Sequence, residues 1–195
     1  MTPIEIRHFH FFCGLGGGAK GFNQGHARVG SMEARFRCLG GVDSEPAAIR
    51  DFERLAGVRG TCMDLFSREQ YRHYHGQEPP TVWREAMPAD IRCAAGDEHP
   101  HIVFLSAPCK GFSGLLSQKR STTEKYQALN ALTLRGIWLM CEAWQDDPVD
   151  LIAGTEDKAE ASCCGNISRA STRERALAKT KLEESVMWAV KAITG

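Results

Sequence analysis

Up to about residue 155, short apolar runs alternate with longer amphipathic stretches, and most of the runs stop at glycine or at a single acid. Ile6–Phe12 is the first run and leads straight into C13-G-L-G-G-G18, so it reads as a strand feeding a tight turn. Lys20–Val29 is the first predicted helix, and Phe36–Asp43 the second strand, closed by its acid. Pro46 opens a helix at a favoured first position. Its apolar residues Ile49, Phe52, Leu55 and Ala56 share a face, and Gly57 suits its cap. Val58–Met63 is a short third strand followed by Asp64. Residues 67–100 are polar and carry four prolines, which predicts helical or irregular surface, an insertion between strands. Ile102–Ser106 is the fourth strand, Tyr126–Trp144 a long helix with Leu129, Leu132, Leu139, Met140 and Trp144 as apolar contacts, and Val149–Ala153 the fifth strand. Strands alternating with helices over short links predict an α/β domain with a mostly parallel sheet.

The texture changes after Ile152. G154-T-E-D-K-A-E-A-S-C-C-G-N166 is polar and rich in small residues, and it reads as a linker. S171-T-R-E174 then offers a capping box, with Leu182, Val186, Val190 and Ile193 following at helical spacing. The expected organisation is an α/β domain over 1–153, a linker over 154–170 and an amphipathic helix over 171–195.

Composition narrows the classes. A chain of 195 residues with 43% hydrophobic and 25% charged residues suits one soluble domain plus a small appendage. No stretch approaches the ~20 apolar residues of a membrane span, and the N-terminus M1-T-P-I-E-I-R7 has no apolar signal core. A cytoplasmic location without membrane contact is therefore expected. The formal net charge of zero gives no global attraction to nucleic acid, so any such contact needs a local basic patch. The eight cysteines form no C-x-x-C pair and no grouping with histidine at zinc-finger spacing, so no metal site is expected. Most of them are expected to be small core residues.

The candidate chemistry lies at the predicted strand ends. H101-I-V-F-L-S-A-P-C-K110 reads as a strand that stops at Pro108 and presents one thiol, Cys109. A thiol at such a turn is favoured as thiolate if it lies near a helix N-terminus; otherwise it is an inert buried cysteine. Gly14, Gly16, Gly17 and Gly18 let a backbone turn tightly, either around a nucleotide-like ligand or for plain strand–helix packing. Asp43 suits ribose hydroxyls or the N-cap of the Pro46 helix. Asp64 suits an adenine amino group or a plain turn. Lys110, Lys119, Arg120 and Lys125 fit phosphate contacts or a solvated loop equally well. In an open α/β sheet the glycine turn and the Cys109 loop fall on one carboxyl edge, where ligands bind.

In order and spacing, residues 7–152 resemble the DNA (cytosine-5)-methyltransferases. The resemblance implies a Rossmann-like S-adenosylmethionine-dependent sheet, here incomplete, and a cofactor site made by Phe12, Gly14, Gly16, Gly17, Asp43, Asp64 and Pro108. A107-P-C-K110 is similar to the family's Pro-Cys motif and implies Cys109 as the nucleophile. Its thiolate adds to cytosine carbon 6, carbon 5 takes the cofactor's methyl group, and the carbon 5 proton and the thiol then leave. Double-stranded DNA is the implied partner, with the target base flipped out. Several family features are replaced or missing. The usual opening aspartate is His10, the usual glutamine after the cysteine is Lys110, and no Glu-Asn-Val follows the fifth strand. The Gln-x-Arg-x-Arg motif and the target-recognition region are missing as well. This implies a truncated, impaired enzyme, a non-catalytic remnant, or a subunit completed by a second polypeptide. R175-A-L-A-K-T-K-L-E-E-S-V-M-W-A-V-K-A-I193 resembles instead the closing helix of small phage hairpin domains found in proteins that sequester cyclic-nucleotide immune signals. The function this second resemblance implies is a binding module for such a signal.

Overall fold

A computed structural model of the chain describes residues 3–29, 31–107, 124–147 and 149–154. Six strands form one sheet: β1 (Ile4–Phe11), β2 (His26–Val29), β3 (Met32–Asp43), β4 (Gly60–Cys62), β5 (Ile102–Leu105) and β6 (Leu151–Gly154). Among the described residues five helices accompany them: α1 (Gly17–Gln24), α2 (Pro46–Ala56), α3 (Arg68–His75), α4 (Pro88–Ala94) and α5 (Glu124–Ala143). β1 lies between β3 and β5, β4 pairs with the outer side of β3, and β6 with β5, all in parallel. The chain thus winds outward from β1 through β3 to β4, then returns past β1 to β5 and β6. This is the doubly wound α/β arrangement, compatible with a Rossmann-like fold, and its direction reverses between β1 and β5.

The alternation along β1 divides the core into two layers. Phe9 and Phe11 point to one face, where they join Val42, Val103, Ile91 and the α5 residues Leu132, Leu139 and Met140. His8 and His10 point to the other, where α1 and α2 contribute Ala19, Phe52 and Ala56. A central parallel strand is covered on both faces and normally reads as continuously apolar. Two buried histidines on it are the fold's main departure from that pattern.

Several sequence expectations need correction. The helix expected over 20–29 begins at Gly17 and stops at Gln24, where Gly25 turns extended (ψ 146°). His26–Val29 instead pairs antiparallel with Met32–Arg35, so β3 starts at Met32 rather than Phe36. The signal for this hairpin is the two-residue Gly30-Ser31 link between alternating segments. β4 is three residues long, because only Gly60–Cys62 find partners on β3. Residues 67–100 are more than surface: α3 and α4 lie there, and Ala86, Ile91 and Ala95 are core residues. Leu55 does not share the buried face of α2; it is 40% exposed, while Ile49, Phe52 and Ala56 are buried. Of the described cysteines Cys38 is buried and Cys13 half-buried, but Cys62, Cys93 and Cys141 are exposed. Gly57 caps α2 in the left-handed region (φ 72°) as its position predicts.

Candidate functional site

At the carboxyl edge of the sheet, β1 hands over to a loop whose backbone is largely left-handed. Phe12 (φ 53°), Gly14 (φ 51°) and Gly16 (φ 88°) all have positive φ. Phe12 is the costly one, since a side chain disfavours this region by about 1–2 kcal/mol. Hydrogen bonds hold the loop in place. Cys13 N donates to Val42 O (3.0 Å) and Gly16 N to Cys13 O (3.0 Å). Gly14 N donates to Asp43 Oδ2 (2.9 Å). Gly16 is also a packing glycine, because a Cβ there would stand 2.9 Å from the Phe52 Cα. Gly17 is different: a Cβ there would meet nothing within 4 Å.

Asp43 ends β3 and spans two backbone donors, with Gly14 N on Oδ2 and Glu45 N on Oδ1 (3.0 Å). It is not the cap of α2. Glu45 takes that role, its side chain accepting from Ala47 N (3.1 Å). Each Asp43 oxygen keeps a lone pair for a further donor. Asp64 follows β4 and is held as a turn acid, accepting from Phe66 N (3.0 Å) and Trp83 Nε1 (3.0 Å). On the other side of β1, Ser106 N donates to Phe11 O (3.2 Å) and keeps the end of β5 beside the glycine loop. Phe12, Gly14, Gly16, Gly17 and Asp43 therefore gather around the ends of β1 and β3. Pro108, Cys109, Lys110, Lys119 and Arg120 lie outside the described residues. A cavity of about 180 Å³ lies elsewhere, between β4 and α4, lined by Arg59, Thr61, Arg84 and Asp90 among others. It contains none of the residues expected at the site.

Removing the Asp43 carboxylate strands two loop donors. Asp43→Ala is expected to cost about 1–2 kcal/mol, the lower part of the range for lost acceptors because the residue is only half-buried. Urea unfolding of the variant checks this, and an unchanged midpoint would show that the two bonds are dispensable.

Beneath the loop lies a polar cluster that the sequence reading did not single out. His8 is 0% exposed, His10 1% and Cys38 2%. Asn23, from α1, organises them. Its Nδ2 donates to Ala56 O (2.9 Å), which turns Oδ1 to accept from Cys38 N (3.2 Å) and from His8 Nε2 (3.0 Å). With its proton on Nε2, neutral His8 offers a bare Nδ1, so the 2.8 Å contact is His10 Nε2–H donating to it. Burial lowers the His8 pKa to about 4, against the pull of the Asn23 bond. Burial and the neighbouring His8 lower that of His10 to about 3. Burial raises the Cys38 thiol to about 11, and burial with Asp43 raises Cys13 to about 12. Neither thiol is ionised at neutral pH, so neither is a ready nucleophile. The only sequence signal for this cluster is two histidines at i and i+2, alternating with Phe9 and Phe11 in a central strand.

Residues 142–194 match the Acb2/Tad1, hairpin domain family. The match begins in the last turn of α5 and includes β6. No curated protein matches the chain, so the methyltransferase resemblance rests on the residues quoted for it above.

Proposed function

We propose that residues 142–194 act as a hairpin module that captures a cyclic-nucleotide signal, carried behind a Rossmann-like α/β unit. The family match over those residues is the observation that supports this reading. The sequence pattern agrees with it. The capping box S171-T-R-E174 and the stripe Leu182, Val186, Val190 and Ile193 predict an amphipathic helix, outside the described residues, of the kind that buries its apolar side against another element. Titration calorimetry of the intact chain with cyclic dinucleotides tests the reading. Saturable heat is expected, and it should vanish in a chain ended at residue 160 whose melting still shows a folded sheet. No heat from the intact chain would remove the proposal.

A second reading concerns the sheet half and is favoured by a separate observation. The glycine loop follows β1, one of the two strands between which the strand order reverses, and Asp43 joins it from the end of the adjacent β3, on the carboxyl edge where ligands bind in open α/β sheets. On this reading the half is the cofactor-binding part of a cytosine-5 methyltransferase domain, with S-adenosylmethionine supplying the methyl group. The residues fit such a group: Gly17 leaves open space beside the loop, and Asp43 retains acceptor capacity for ribose hydroxyls while it holds Gly14. Asp64, tied to Trp83, contributes chiefly by fixing the neighbouring loop. Cys109 takes the nucleophile's role, double-stranded DNA is the substrate, and a second polypeptide would supply the base-reading half. S-adenosylhomocysteine is expected to raise the melting temperature by several degrees at saturating concentration, since a ligand of the folded state stabilises it. A melting curve that does not move would sink this reading and leave the hairpin proposal untouched.

A further inference from the structure

We infer that His8, His10 and Cys38 form a buried binding site for one soft monovalent metal ion, copper(I). This goes beyond both readings above and depends on neither. The three ligand atoms lie within 4.8 Å of one another, all in the layer between the sheet and helices α1 and α2. The strands bring them there by register. His8 pairs with Cys38 across β1 and β3, and the register then slips so that Phe9 faces Gly40. This irregularity, of the kind that re-aims side chains near functional sites, falls beside Cys38.

Geometry and charge select the ion. At metal–nitrogen distances of about 2.0 Å, two nitrogens of a trigonal site stand roughly 3.5 Å apart. The His8 Nδ1 and His10 Nε2 atoms, now 2.8 Å apart, need to separate by well under 1 Å. The shell is apolar: the rings of Phe22, Phe52 and Phe104 lie 5.1–6.2 Å from that of His10. An uncompensated charge in such surroundings is costly. Two neutral imidazoles and one thiolate leave a net positive charge around a divalent ion but cancel that of copper(I). Thiolate and imidazole are also ligands that suit copper(I), which accepts three-coordination. Binding displaces one proton, that of the Cys38 thiol. The His10 proton moves from Nε2 to Nδ1, and the metal takes its place on Nε2. His8 keeps its Nε2–H on Asn23 Oδ1, the outer hydrogen bond that fixes a ligating imidazole. Asn23 itself is exposed, so one side chain separates the cluster from water.

X-ray absorption of the full-length wild-type chain carrying one equivalent of copper(I) reads the ligands directly. One sulfur and two imidazole nitrogens are expected. A shell of sulfur alone would place the metal on the exposed cysteines and overturn the inference. In competition with a chromophoric copper(I) chelator, Cys38→Ser should weaken the tightest site at least 100-fold, while Cys93→Ser leaves it unchanged. Equal affinity in wild type and folded Cys38→Ser would also overturn it. If Cys38→Ser does not fold, the wild-type absorption measurement decides alone.

Discussion

Gly16→Ala should destabilise the protein by about 2–5 kcal/mol, whereas Gly17→Ala should leave stability unchanged or raise it slightly. The two glycines are neighbours in a run of three, but they differ in backbone conformation and in surroundings. Gly16 sits at φ 88°, where a side chain costs about 1–2 kcal/mol. Its added Cβ would also press on Phe52 at three points: 2.9 Å from Cα, 3.1 Å from Cδ2 and 3.3 Å from the carbonyl oxygen. Two of these atoms are backbone of α2 and cannot rotate away, so α1 and α2 must move apart, at a further cost of about 1–3 kcal/mol. Gly17 begins α1, with open space where its Cβ would be. Alanine there gains helix propensity. Denaturant midpoints at constant m-value measure both, and a Gly16→Ala chain as stable as wild type would refute the packing account. The same pair separates packing from ligand binding. A Gly17→Ala chain that is stable but no longer shifted by S-adenosylhomocysteine would mean that the open space at Gly17 is where the ligand lies.

The readable parts of this fold were those that local pattern determines. Apolar runs ending in glycine, proline or an acid located β1, the end of β3, β4, β5 and β6, because a parallel sheet buries its strands on both sides. Pro46 and Gly57 marked α2 through backbone restrictions that act within a few residues. The errors came where tertiary contact decides. His26–Val29 has no intrinsic reason to avoid helix; it is a strand because Met32–Arg35 folds back on it. Leu55 lies one position off the stripe that Phe52 and Ala56 bury, a distinction finer than helical spacing resolves. At the site, Asp43 was identified correctly as an acid at a strand end, but its bond to Gly14 spans 29 residues and is visible only in the fold. The cluster of His8, His10 and Cys38 was hidden for the same reason. Metal-motif spacing is a property of neighbouring residues, and here the third member comes from the next strand.

Lowering the pH from 7 to 5 should remove up to about 4 kcal/mol of stability from the metal-free chain through His8 and His10 alone. The sign follows from where the protons go. In the unfolded chain both rings titrate near 6.5, whereas in the folded chain burial holds His8 at about 4 and His10 at about 3. Between these limits the unfolded state binds more protons, so stability rises with pH and is lost as pH falls. At pH 5 each ring is charged when unfolded and neutral when folded, which costs about 2 kcal/mol per ring at 1.36 kcal/mol per pKa unit. The hydrogen-bond partners of the pair are each other and the uncharged Asn23, so no counter-charge offsets the loss. The bond between the rings survives the first proton and is lost once both rings are charged, because His8 Nδ1 and His10 Nε2 then both carry hydrogen. His10→Gln keeps a donor toward His8 and removes one titrating ring, so the pair's share of the slope of stability against pH between 5 and 6.5 should fall by half, while the part that His101 adds through its own burial stays. If urea unfolding of His10→Gln showed the wild-type slope, the acid sensitivity would have to come from groups other than this buried pair.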